Sequence, residues 1–411
     1  MKTVEYPALG AADEPLVDRY AVGLGTDAAR VLAYLRLRLD RPDTAGEPAT
    51  RLDIRIGTGL SRGAVGDALD RLGDLGLVSE TSVRRHESGR PPQAWTTDAS
   101  VTPRRAYECH ANRLLDQTGT AADEPGSGPD KPPTADGDPF SVALNWHPNA
   151  LHAPLYAGLA GDHYSDGGLE VTFDPRTGSG AALDAVAAGE VDAALVGAAT
   201  FVAAAPPDVV PLGLLYERAM AVLYATHDSF GGPFERVRQL RGRRVGMSVG
   251  SETARLARLL LSQVDTLEAV DIVDIGGEER EALRSGRVDA VTGQISDPDR
   301  ITDGTVETVP VAEQFPLYGP VLVAREATLT ERPSALHAFL VGTMCGWADA
   351  ADSPGEAVAS VPGVDADDTG ARTTVERAIE EFGFDRSHGW GVHDEDGWLR
   401  LRTALAQVEG S

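Results

Sequence analysis

The feature that most constrains the fold of this chain is an alternation that begins after Pro139, where short apolar segments alternate with Ala-rich amphipathic ones. The apolar segments read V-A-L-N-W, L-E-V-T-F, A-A-L-V-G, A-V-L-Y-A, R-V-G-M-S, D-I-V-D-I, D-A-V-T-G and V-L-V-A. Such segments predict strands, and their alternation with helical segments predicts a mostly parallel sheet with helices on both faces. The roughly 270 residues after Pro139 are enough for two lobes of this kind.

Two of the apolar segments are interpreted as crossings of the chain between the lobes. They are V-L-Y-A at 222–225 and V-L-V-A at 321–324. With these crossings, residues 140–224 and 322–411 form lobe one. The inserted residues 225–321 form lobe two.

The first hundred residues carry a different pattern, in which helical segments precede a hairpin. Apolar residues recur at helical spacing from 26 to 39, and a further segment has a turn at Gly59, a capping Ser61 and one apolar face. After Val78, two extended arms flank a Gly- and Pro-rich tip that carries basic residues. This order of elements over residues 17–100 resembles the winged helix-turn-helix domain of archaeal and bacterial regulators.

The resemblance implies contact with double-stranded DNA, with the second helix of the motif in the major groove and the hairpin along the phosphates. The residues expected to face bases are Ser61, Arg62 and Ala64, and those expected to contact phosphates are Arg84, Arg85 and Arg90. The charge distribution is consistent with DNA contact. Residues 17–100 have no net charge, with 12 basic and 12 acidic side chains, whereas the whole chain has a net charge of −26. A winged helix that makes only protein contacts is the alternative.

Two segments connect this domain to the lobes. Residues 101–117 predict one further helix, which packs on the winged helix or pairs two copies of the chain into a homodimer. Residues 118–139 are rich in Gly, Pro and Asp and predict a flexible linker, because such a composition buries too little apolar surface to fold. The two-lobed domain is therefore expected to be an independent module.

The composition indicates the setting in which the chain works. There are 63 Asp and Glu against 37 Lys and Arg, and only Lys2 and Lys131 are lysines. An acidic surface with few lysines suits a salt-rich cytoplasm, so we expect a salt-adapted archaeal source; an acidic mesophile is the alternative. The 2 cysteines exclude a disulfide framework and thiolate metal sites. Because no signal-peptide pattern and no run of 18 apolar residues occurs, we expect a cytoplasmic protein without a membrane anchor.

A second resemblance rests on L-N-W-H-P-N-A-L-H-A-P-L-Y-A at 144–157, followed by G-L-E-V at 168–171. Weaker support comes from G-x-V-D-A-A-L-V-G, R-V-G-M-S-V-G-S and F-P-L-Y-G-P-V-L-V-A. These motifs resemble thiamine-pyrimidine-precursor binding proteins and the related fungal-type pyrimidine synthase. The resemblance implies a two-lobed α/β domain of the type II periplasmic-binding-protein fold. The whole chain is thus expected to be multidomain, an α+β winged helix followed by that domain.

The same resemblance implies a pocket for a flat, polar ring between the lobes. Asn145 would hydrogen-bond to an aminopyrimidine edge and Trp146 would stack on the ring. Tyr156 and Tyr318 would close the pocket from either lobe, and Glu252 would bind an exocyclic amine. The remaining expected ligand-binding residues are His152, Thr200, Ser248, Gly250, Ser251 and Gln294. A core position for Trp146 and an ordinary first-turn acid at Glu252 are the alternatives. No metal and no cofactor are expected.

The function then depends on whether the synthase chemistry is present. The synthase has a cofactor-binding lysine and a consumed histidine just after the V-D motif, where this chain has Val196 and Thr200, and its cysteine-rich run is missing here. The chain is therefore not expected to be an enzyme. We expect a one-component transcriptional regulator that binds a thiamine-related pyrimidine precursor and a DNA operator. The alternatives are a cytoplasmic synthase-like enzyme and a binding protein of an ABC transporter system retained in the cytoplasm.

Overall fold

The computed structural model describes residues 8–41, 46–82, 92–118, 138–298, 301, 304–313 and 317–409. Three of the residues expected to contact DNA phosphates lie outside the described residues, namely Arg84, Arg85 and Arg90. Residues 119–137 of the expected linker also lie outside them.

The described part of the chain before the linker, called the N-terminal unit below, is made of helices and a small sheet. Its three strands form an antiparallel sheet in the order β1-β3-β2. The elements are α1 Glu14–Leu24, α2 Thr26–Asp40, β1 Ala49–Thr50, α3 Arg51–Thr58, α4 Arg62–Asp74, β2 Ser79–Ser82, β3 Gln93–Thr96 and α5 Pro103–Gln117.

Helix α4 begins and packs as the sequence predicts. Gly59 has a φ of 74°, which a residue with a side chain adopts only with strain, and it ends α3. The Ser61 hydroxyl then accepts a hydrogen bond from the Ala64 amide at 3.2 Å and caps α4. Val65, Leu69 and two further apolar residues of α4 are buried. The turn between α3 and α4 is therefore fixed by local sequence.

Helix α1 was not predicted from the sequence. Its second half is buried on almost every side, from Tyr20 through Leu24. It packs against α2 and α5 at once. A helix that buries several faces lacks the single apolar stripe by which helices are recognised in a sequence. The expected helix at 101–117 is α5, and Thr102 caps it.

The chain then builds lobe one, lobe two and the rest of lobe one. The first part of lobe one has β4 Phe140–Leu144, α6 Ala153–Ala160, β5 Val171–Pro175, α7 Ser179–Ala188, β6 Ala193–Gly197, α8 Ala198–Ala204 and β7 Val209–Leu214. Lobe two has β8 Ala221–Thr226, α9 His227–Phe230, β9 Arg244–Met247, α10 Glu252–Gln263, β10 Asp271–Asp274, α11 Glu279–Arg284, β11 Ala290–Gln294 and β12 Val306–Pro310. The chain ends with β13 Pro320–Arg325, α12 Glu326–Glu331, α13 Pro333–Asp352, α14 Pro354–Ala359, α15 Thr369–Phe382 and α16 Glu395–Glu409.

The two sheets have the same arrangement of strands. Lobe one has the order β5-β4-β6-β13-β7, and lobe two has the order β10-β9-β11-β8-β12. In each sheet two pairings are parallel and two are antiparallel. Four of the five strands in each sheet therefore run in the same direction, and the expectation of a mostly parallel sheet is confirmed. The exceptions are β13 and β8, which each enter their sheet from the other lobe and run against both neighbours.

The expected crossings between the lobes are misplaced by a few residues. The segment 222–225 lies inside β8, which pairs with β11 and β12, so residues 221–224 belong to lobe two. The chain crosses at 215–220 instead, and it returns at 311–319, before β13. Arg218 and Tyr318 connect the two crossings through an isolated antiparallel bridge. The composition of an apolar segment does not distinguish a buried strand from a buried crossing, because both are apolar.

The N-terminal unit packs on lobe one through helix α13. Both α1 and α5 contact α13. Arg19 of α1 forms ion pairs with Asp349 at 3.0 Å and with Asp352 at 2.6 Å. Apolar residues of the N-terminal unit and of lobe one also belong to one continuous buried cluster. The two-lobed domain is therefore not the contact-free module that the linker predicted.

Residues 381–391, called the bridging segment below, contact both the N-terminal unit and the first crossing. The Trp390 amide donates to the Val22 carbonyl at 2.8 Å. The Trp390 carbonyl in turn accepts from His110 Nε2 at 2.7 Å. On the other side, the Glu217 amide of the crossing donates to the Gly383 carbonyl at 2.7 Å. The bridging segment therefore connects the first crossing to α1 through one backbone hydrogen bond at each side.

Candidate ligand-binding cleft

The loop after β4 holds two of the expected ligand-binding residues at the carboxyl end of a strand in lobe one. Asn145 and Trp146 follow Leu144 directly, and a short 3-10 turn at Ala150–His152 then leads into α6. The Asn149 side chain accepts from the Leu151 amide at 2.9 Å and begins this turn. In open α/β sheets, ligands bind beside the carboxyl ends of strands, so the loop has the position that a ligand site requires.

His152 fixes the orientation of Asn145. The Asn145 Oδ1 atom accepts a hydrogen bond from His152 Nε2 at 2.9 Å. His152 is only 2% exposed, and burial lowers its pKa to about 4, so the ring is neutral near pH 7. Because Nε2 donates, the other nitrogen, Nδ1, is an unprotonated acceptor, and it has no partner within the described part of the chain. The Asn145 amide nitrogen remains as a hydrogen-bond donor.

Trp146 presents an exposed aromatic surface beside this amide. Its side chain is 49% exposed, which makes it the largest exposed apolar side chain of the described residues. The one ring that it contacts in those residues is His147, at 5.7 Å between centroids in an edge geometry. The alternative of a core position for Trp146 is therefore wrong. An indole face beside an oriented amide can hold a flat polar ring.

Glu252 and Thr200 meet across the two lobes. Glu252 stands in the first turn of α10, and its carboxylate accepts from the Thr200 hydroxyl and amide, both at 2.7 Å, and from the Ala199 amide at 3.0 Å. Burial raises the pKa of Glu252, although these three hydrogen bonds oppose the shift. Gly197 lies directly under the carboxylate, where a side chain would overlap it. We call this contact the interlobe latch.

The two expected tyrosines pack on rings other than that of Trp146. Tyr156 is 6% exposed and packs on Phe173 inside lobe one, with 5.0 Å between the ring centroids. Tyr318 lies in the second crossing, where its ring packs on Trp398 at 5.0 Å and its hydroxyl accepts from the Asp394 amide at 3.0 Å. Each tyrosine thus has a ring partner other than Trp146, and their closing of the pocket around a ligand stays a prediction.

The other expected residues of lobe two are engaged locally. Ser248 donates to Glu279 at 2.9 Å, and Ser251 caps α10 by accepting from the Ala254 amide at 3.1 Å. Gly250 has a φ of 85°, which allows the sharp turn from β9 into α10. Gln294 ends β11. Gly250 and Ser251 shape the turn into α10 and thereby position Glu252.

A cavity of about 240 Å³ lies near the start of α10, and Trp146 is not among its lining residues. Of the expected residues, only Gly250 lines it. Its other walls come from one face of α10, from the strands β9 and β10 and from α16. This cavity therefore lies between lobe two and α16.

The N-terminal turn of α4 is exposed, as the expected DNA contact requires. Ser61 and Arg62 are exposed and Ala64 is half-buried. The Ser61 hydroxyl is already used to cap the helix. The Ser61 hydroxyl therefore stabilises the start of α4. The exposed Arg62 side chain is the one in this turn that can extend towards DNA.

Sequence reasoning missed the role of the C-terminal helix α16. This helix packs on α8 of lobe one and on α10 of lobe two, so it contacts both lobes. Trp398 packs edge-on against Phe201 at 5.7 Å and donates to His393 Nδ1 at 3.1 Å. Burial lowers the pKa of His393. The nearby Trp398, five residues later, was the one signal that His393 has an aromatic neighbour.

Within the ranges that the structure describes, two searches give a negative result. Those ranges contain no group of three His, Cys, Asp or Glu residues able to hold a metal ion. None of the helices found in them is long and apolar enough to cross a membrane.

Comparison with known families and proteins agrees with the two-lobed fold. A family model described as NMT1/THI5 like matches residues 149–357. The formylaminopyrimidine-binding protein of Halalkalibacterium halodurans is 26% identical over 231 residues, which are 53% of this chain and 68% of that protein. The riboflavin-binding protein RibY of Chloroflexus aurantiacus is 24% identical over 246 residues, 57% of this chain and 69% of that protein.

Solved structures with low sequence identity share the architecture. The periplasmic aliphatic sulphonate binding protein SsuA from Escherichia coli has a TM-score of 0.54 at 14% identity, covering 67% of this chain and 92% of that one. The Candida albicans CA3427 gene product, described as having the generic periplasmic binding protein fold, has a TM-score of 0.54 at 15% identity, covering 67% and 91%. The two lobes thus have the periplasmic-binding-protein fold. The two relatives named above are binding proteins, and the expectation that this chain is not an enzyme is confirmed.

Proposed function

Because this chain belongs to the NMT1/THI5-like family, we propose that it is a binding protein for a small, flat, polar heteroaromatic molecule of the pyrimidine type. One observation carries the proposal: Trp146 offers an exposed indole face beside Asn145, whose amide is oriented by the buried, neutral His152. The two relatives are named for formylaminopyrimidine and riboflavin, both flat nitrogen heterocycles. A stacking face with an adjacent amide matches that ligand chemistry.

The proposal assigns separate roles to the two lobes. Asn145 and Trp146 of lobe one take the edge and the face of the ring. Ser248, Gly250 and Gln294 are the residues of lobe two that would contact the ring. Glu252 and Thr200 act instead as the interlobe latch, because the carboxylate already accepts three hydrogen bonds from lobe one.

The test is calorimetric titration of the full chain with formylaminopyrimidine, in high salt. Trp146→Ala should lower the affinity by roughly tenfold or more, since stacking on an aromatic side chain contributes about 1–3 kcal/mol per ring. Trp146→Phe is the matched control and should keep most of the affinity, because it retains a stacking face. Unchanged affinity in Trp146→Ala would place the ligand elsewhere.

We further propose that the N-terminal unit is a winged helix that binds DNA, so that the whole protein is a cytoplasmic one-component regulator. The support is the order of its elements, with α3 and α4 joined by the turn at Gly59 and followed by the β2–β3 hairpin. Arg62 is exposed on the first turn of α4. The zero net charge of residues 17–100 also suits a DNA contact better than the acidic remainder does.

Gel-shift titration with promoter DNA next to the gene tests the regulator proposal. Arg62→Ala should weaken operator binding and relax sequence preference at one or two base pairs, because side chains at this end of the helix read bases. Arg280→Ala, at an exposed arginine of lobe two, is the control and should leave DNA binding unchanged. Equal affinity of the Arg62→Ala variant and the unaltered chain would remove the DNA role.

The second candidate function is a binding protein of an ABC transporter system. It is favoured by the names of the two relatives, which are both binding proteins. In this case the pyrimidine affinity would persist while DNA affinity would be absent, and cell fractionation would find the chain with a membrane transporter. The two titrations described above therefore separate the candidates.

A further inference from the structure

A second cavity lies in the N-terminal unit, far along the chain from Trp146. Its volume is about 310 Å³, at the lower end of the range for small-molecule sites. It opens where the ends of α1 and α4 meet the middle of α5. Its lining residues are Gly23, Arg71, Asp74, Leu75, Cys109, His110 and Arg113.

Two guanidinium groups share this cavity. Arg71 and Arg113 both line it, and burial, followed by the charge of Arg113, lowers the pKa of Arg71. Among the described residues, neither arginine forms an ion pair with a carboxylate, although Asp74 lines the same cavity. Arg71 donates to the His388 carbonyl at 3.3 Å. Two half-buried guanidiniums at one cavity are a suitable site for an oxyanion.

His110 adds an acceptor to these donors. It is 2% exposed, and its Nε2 donates to the Trp390 carbonyl at 2.7 Å. Burial lowers its pKa to about 4, so the ring is neutral near pH 7 and Nδ1 is an unprotonated acceptor. In the part of the chain that the structure describes, Nδ1 has no hydrogen-bond partner. A buried acceptor without a partner is costly and indicates a missing donor.

We propose that this cavity binds an oxyanion that also carries a hydroxyl donor, of which hydrogen phosphate is the simplest example. Its oxygens would accept from Arg71 and Arg113, and its hydroxyl would donate to His110 Nδ1. A phosphate ester of a small metabolite offers the same oxygens with hydroxyls on its organic part. The site is separate from the interlobe cleft and does not depend on the pyrimidine proposal.

A bound anion would join three parts of the molecule. Arg71 belongs to α4, and Arg113 and His110 belong to α5. The carbonyl groups of His388 and Trp390 already bind Arg71 and His110, so the bridging segment forms the rear of the site. Occupancy would therefore fix α4 relative to lobe one, and it would do so whichever ligand the lobes hold.

The test is titration of the full chain in phosphate-free potassium chloride buffer at pH 7.5, with three ligands in separate runs. Inorganic phosphate should bind with one saturable site, and sulfate, which has no hydroxyl at this pH, should bind about tenfold more weakly or not at all. Ribose 5-phosphate shows whether the site prefers a phosphate ester or the free phosphate ion. Tighter binding of the ester than of phosphate assigns the site to an ester, and the reverse assigns it to the free ion.

Variants identify the cavity as the site. Arg113→Ala should lower phosphate affinity by about tenfold, because it removes one charged donor, and Arg113→Lys should recover part of the loss. Arg372→Ala, at an exposed arginine of α15, is the matched control and should have no effect. Unchanged binding in Arg113→Ala, equal binding of sulfate, or no saturable phosphate binding would each overturn the proposal.

Cys109 supplies an independent measurement, because it lines the cavity and is half-buried whereas Cys345 is 7% exposed. Phosphate should slow the reaction of Cys109 with a maleimide and leave Cys345 unaffected. Protection of Cys109 in the unaltered chain but not in Arg113→Ala would support the site, and protection in both would contradict it.

Discussion

The two lobes share one strand arrangement but differ in what supports them. In lobe one the long helix α13 packs on α6 and, through Phe339, on Phe140 of the sheet, and the N-terminal unit packs on the same helix. Lobe two has one helix longer than eight residues among its described elements, α10, and its edge strand β10 has no fully buried residue. It is joined to the rest by two crossings, the interlobe latch and α16. Lobe one is therefore the platform, and lobe two is the part that can move.

The largest expected effect comes from removing the support of lobe one. Deleting residues 1–136 exposes the face of α13 that packs on α1 and α5, together with the buried Trp390. We expect the free energy of unfolding of lobe one to fall by about 3 kcal/mol or more, since several large apolar side chains lose their cover. Hydrogen exchange should accelerate in α6 and α13 and stay unchanged in α10. Equal acceleration in both lobes would contradict the comparison.

A pair of glycine substitutions compares packing in the two lobes directly. Gly346 of α13 lies against the Pro154 carbonyl and the Gly158 backbone of α6, so Gly346→Ala forces these helices apart. In lobe two, the added Cβ of Gly246→Ala would meet the Ile275 side chain at 3.0 Å, which can shift. We expect losses of about 3 and about 1 kcal/mol respectively in denaturant unfolding. Similar losses would show that lobe one is no more tightly packed.

Acid should destabilise the platform before it destabilises the moving lobe. Burial lowers the pKa of His152 and of His110 to about 4, below the value of about 6.5 in an unfolded chain. The unfolded chain then binds more protons, so this part of the stability is present above pH 6.5 and is lost as the pH falls towards 4. Each histidine should cost roughly 2 kcal/mol between pH 7 and pH 5.

Lobe two provides the internal control for the acid experiment. Its one histidine, His227, is half-exposed. Hydrogen exchange measured at both pH values, corrected for the intrinsic rate, should therefore show a loss of protection in α5 and α6 but little in α10. A uniform loss would mean that the lobes unfold as one unit.

The smallest expected effect concerns the interlobe latch. Glu252→Gln replaces a carboxylate that accepts three hydrogen bonds, and we expect the closed arrangement to lose about 1 kcal/mol. Small-angle scattering should then give a larger radius of gyration for the variant. Glu279→Gln is the matched control, because its bond to Ser248 stays within lobe two. An equal radius in both variants would mean that the latch does not hold the lobes together.

The latch also has a pH dependence of known sign. Burial raises the pKa of Glu252, so its contribution to stability is complete below the unfolded pKa and is lost as the pH rises through the higher folded value. The closed arrangement should accordingly weaken with rising pH in the acid range, and Glu252→Gln should remove that dependence. This trend is opposite in sign to that of the two buried histidines.

Local signals were enough for the parts of the fold that depend on few neighbours. Gly59 and Ser61 specify the turn and the cap of α4 within three residues, and Thr102 does the same for α5. The loop with Asn145 and Trp146 was likewise placed at a strand end. That these two side chains bind the ligand stays a prediction.

The remaining errors come from contacts between distant residues. The crossing at 215–220 was misplaced because Val222 and its neighbours are apolar. They are apolar because they belong to a buried strand that pairs with β11 and β12, which follow much later in the chain. The partners of Tyr318, Asp394 and Trp398, were missed because nothing near Tyr318 in the chain reveals them. Glu252 and Thr200 were both expected at the cleft, but their mutual contact depends on how the lobes close.

The strand order has a consequence for the newly made chain. The sheet of lobe two comes from one continuous stretch, 221–310, whereas lobe one needs β13 between β6 and β7 and therefore waits until lobe two has left the ribosome. The N-terminal unit is made before both lobes, yet α13 and the bridging segment, on which it docks, are made after lobe two. The apolar docking face of the N-terminal unit must therefore stay available until these later segments have been made.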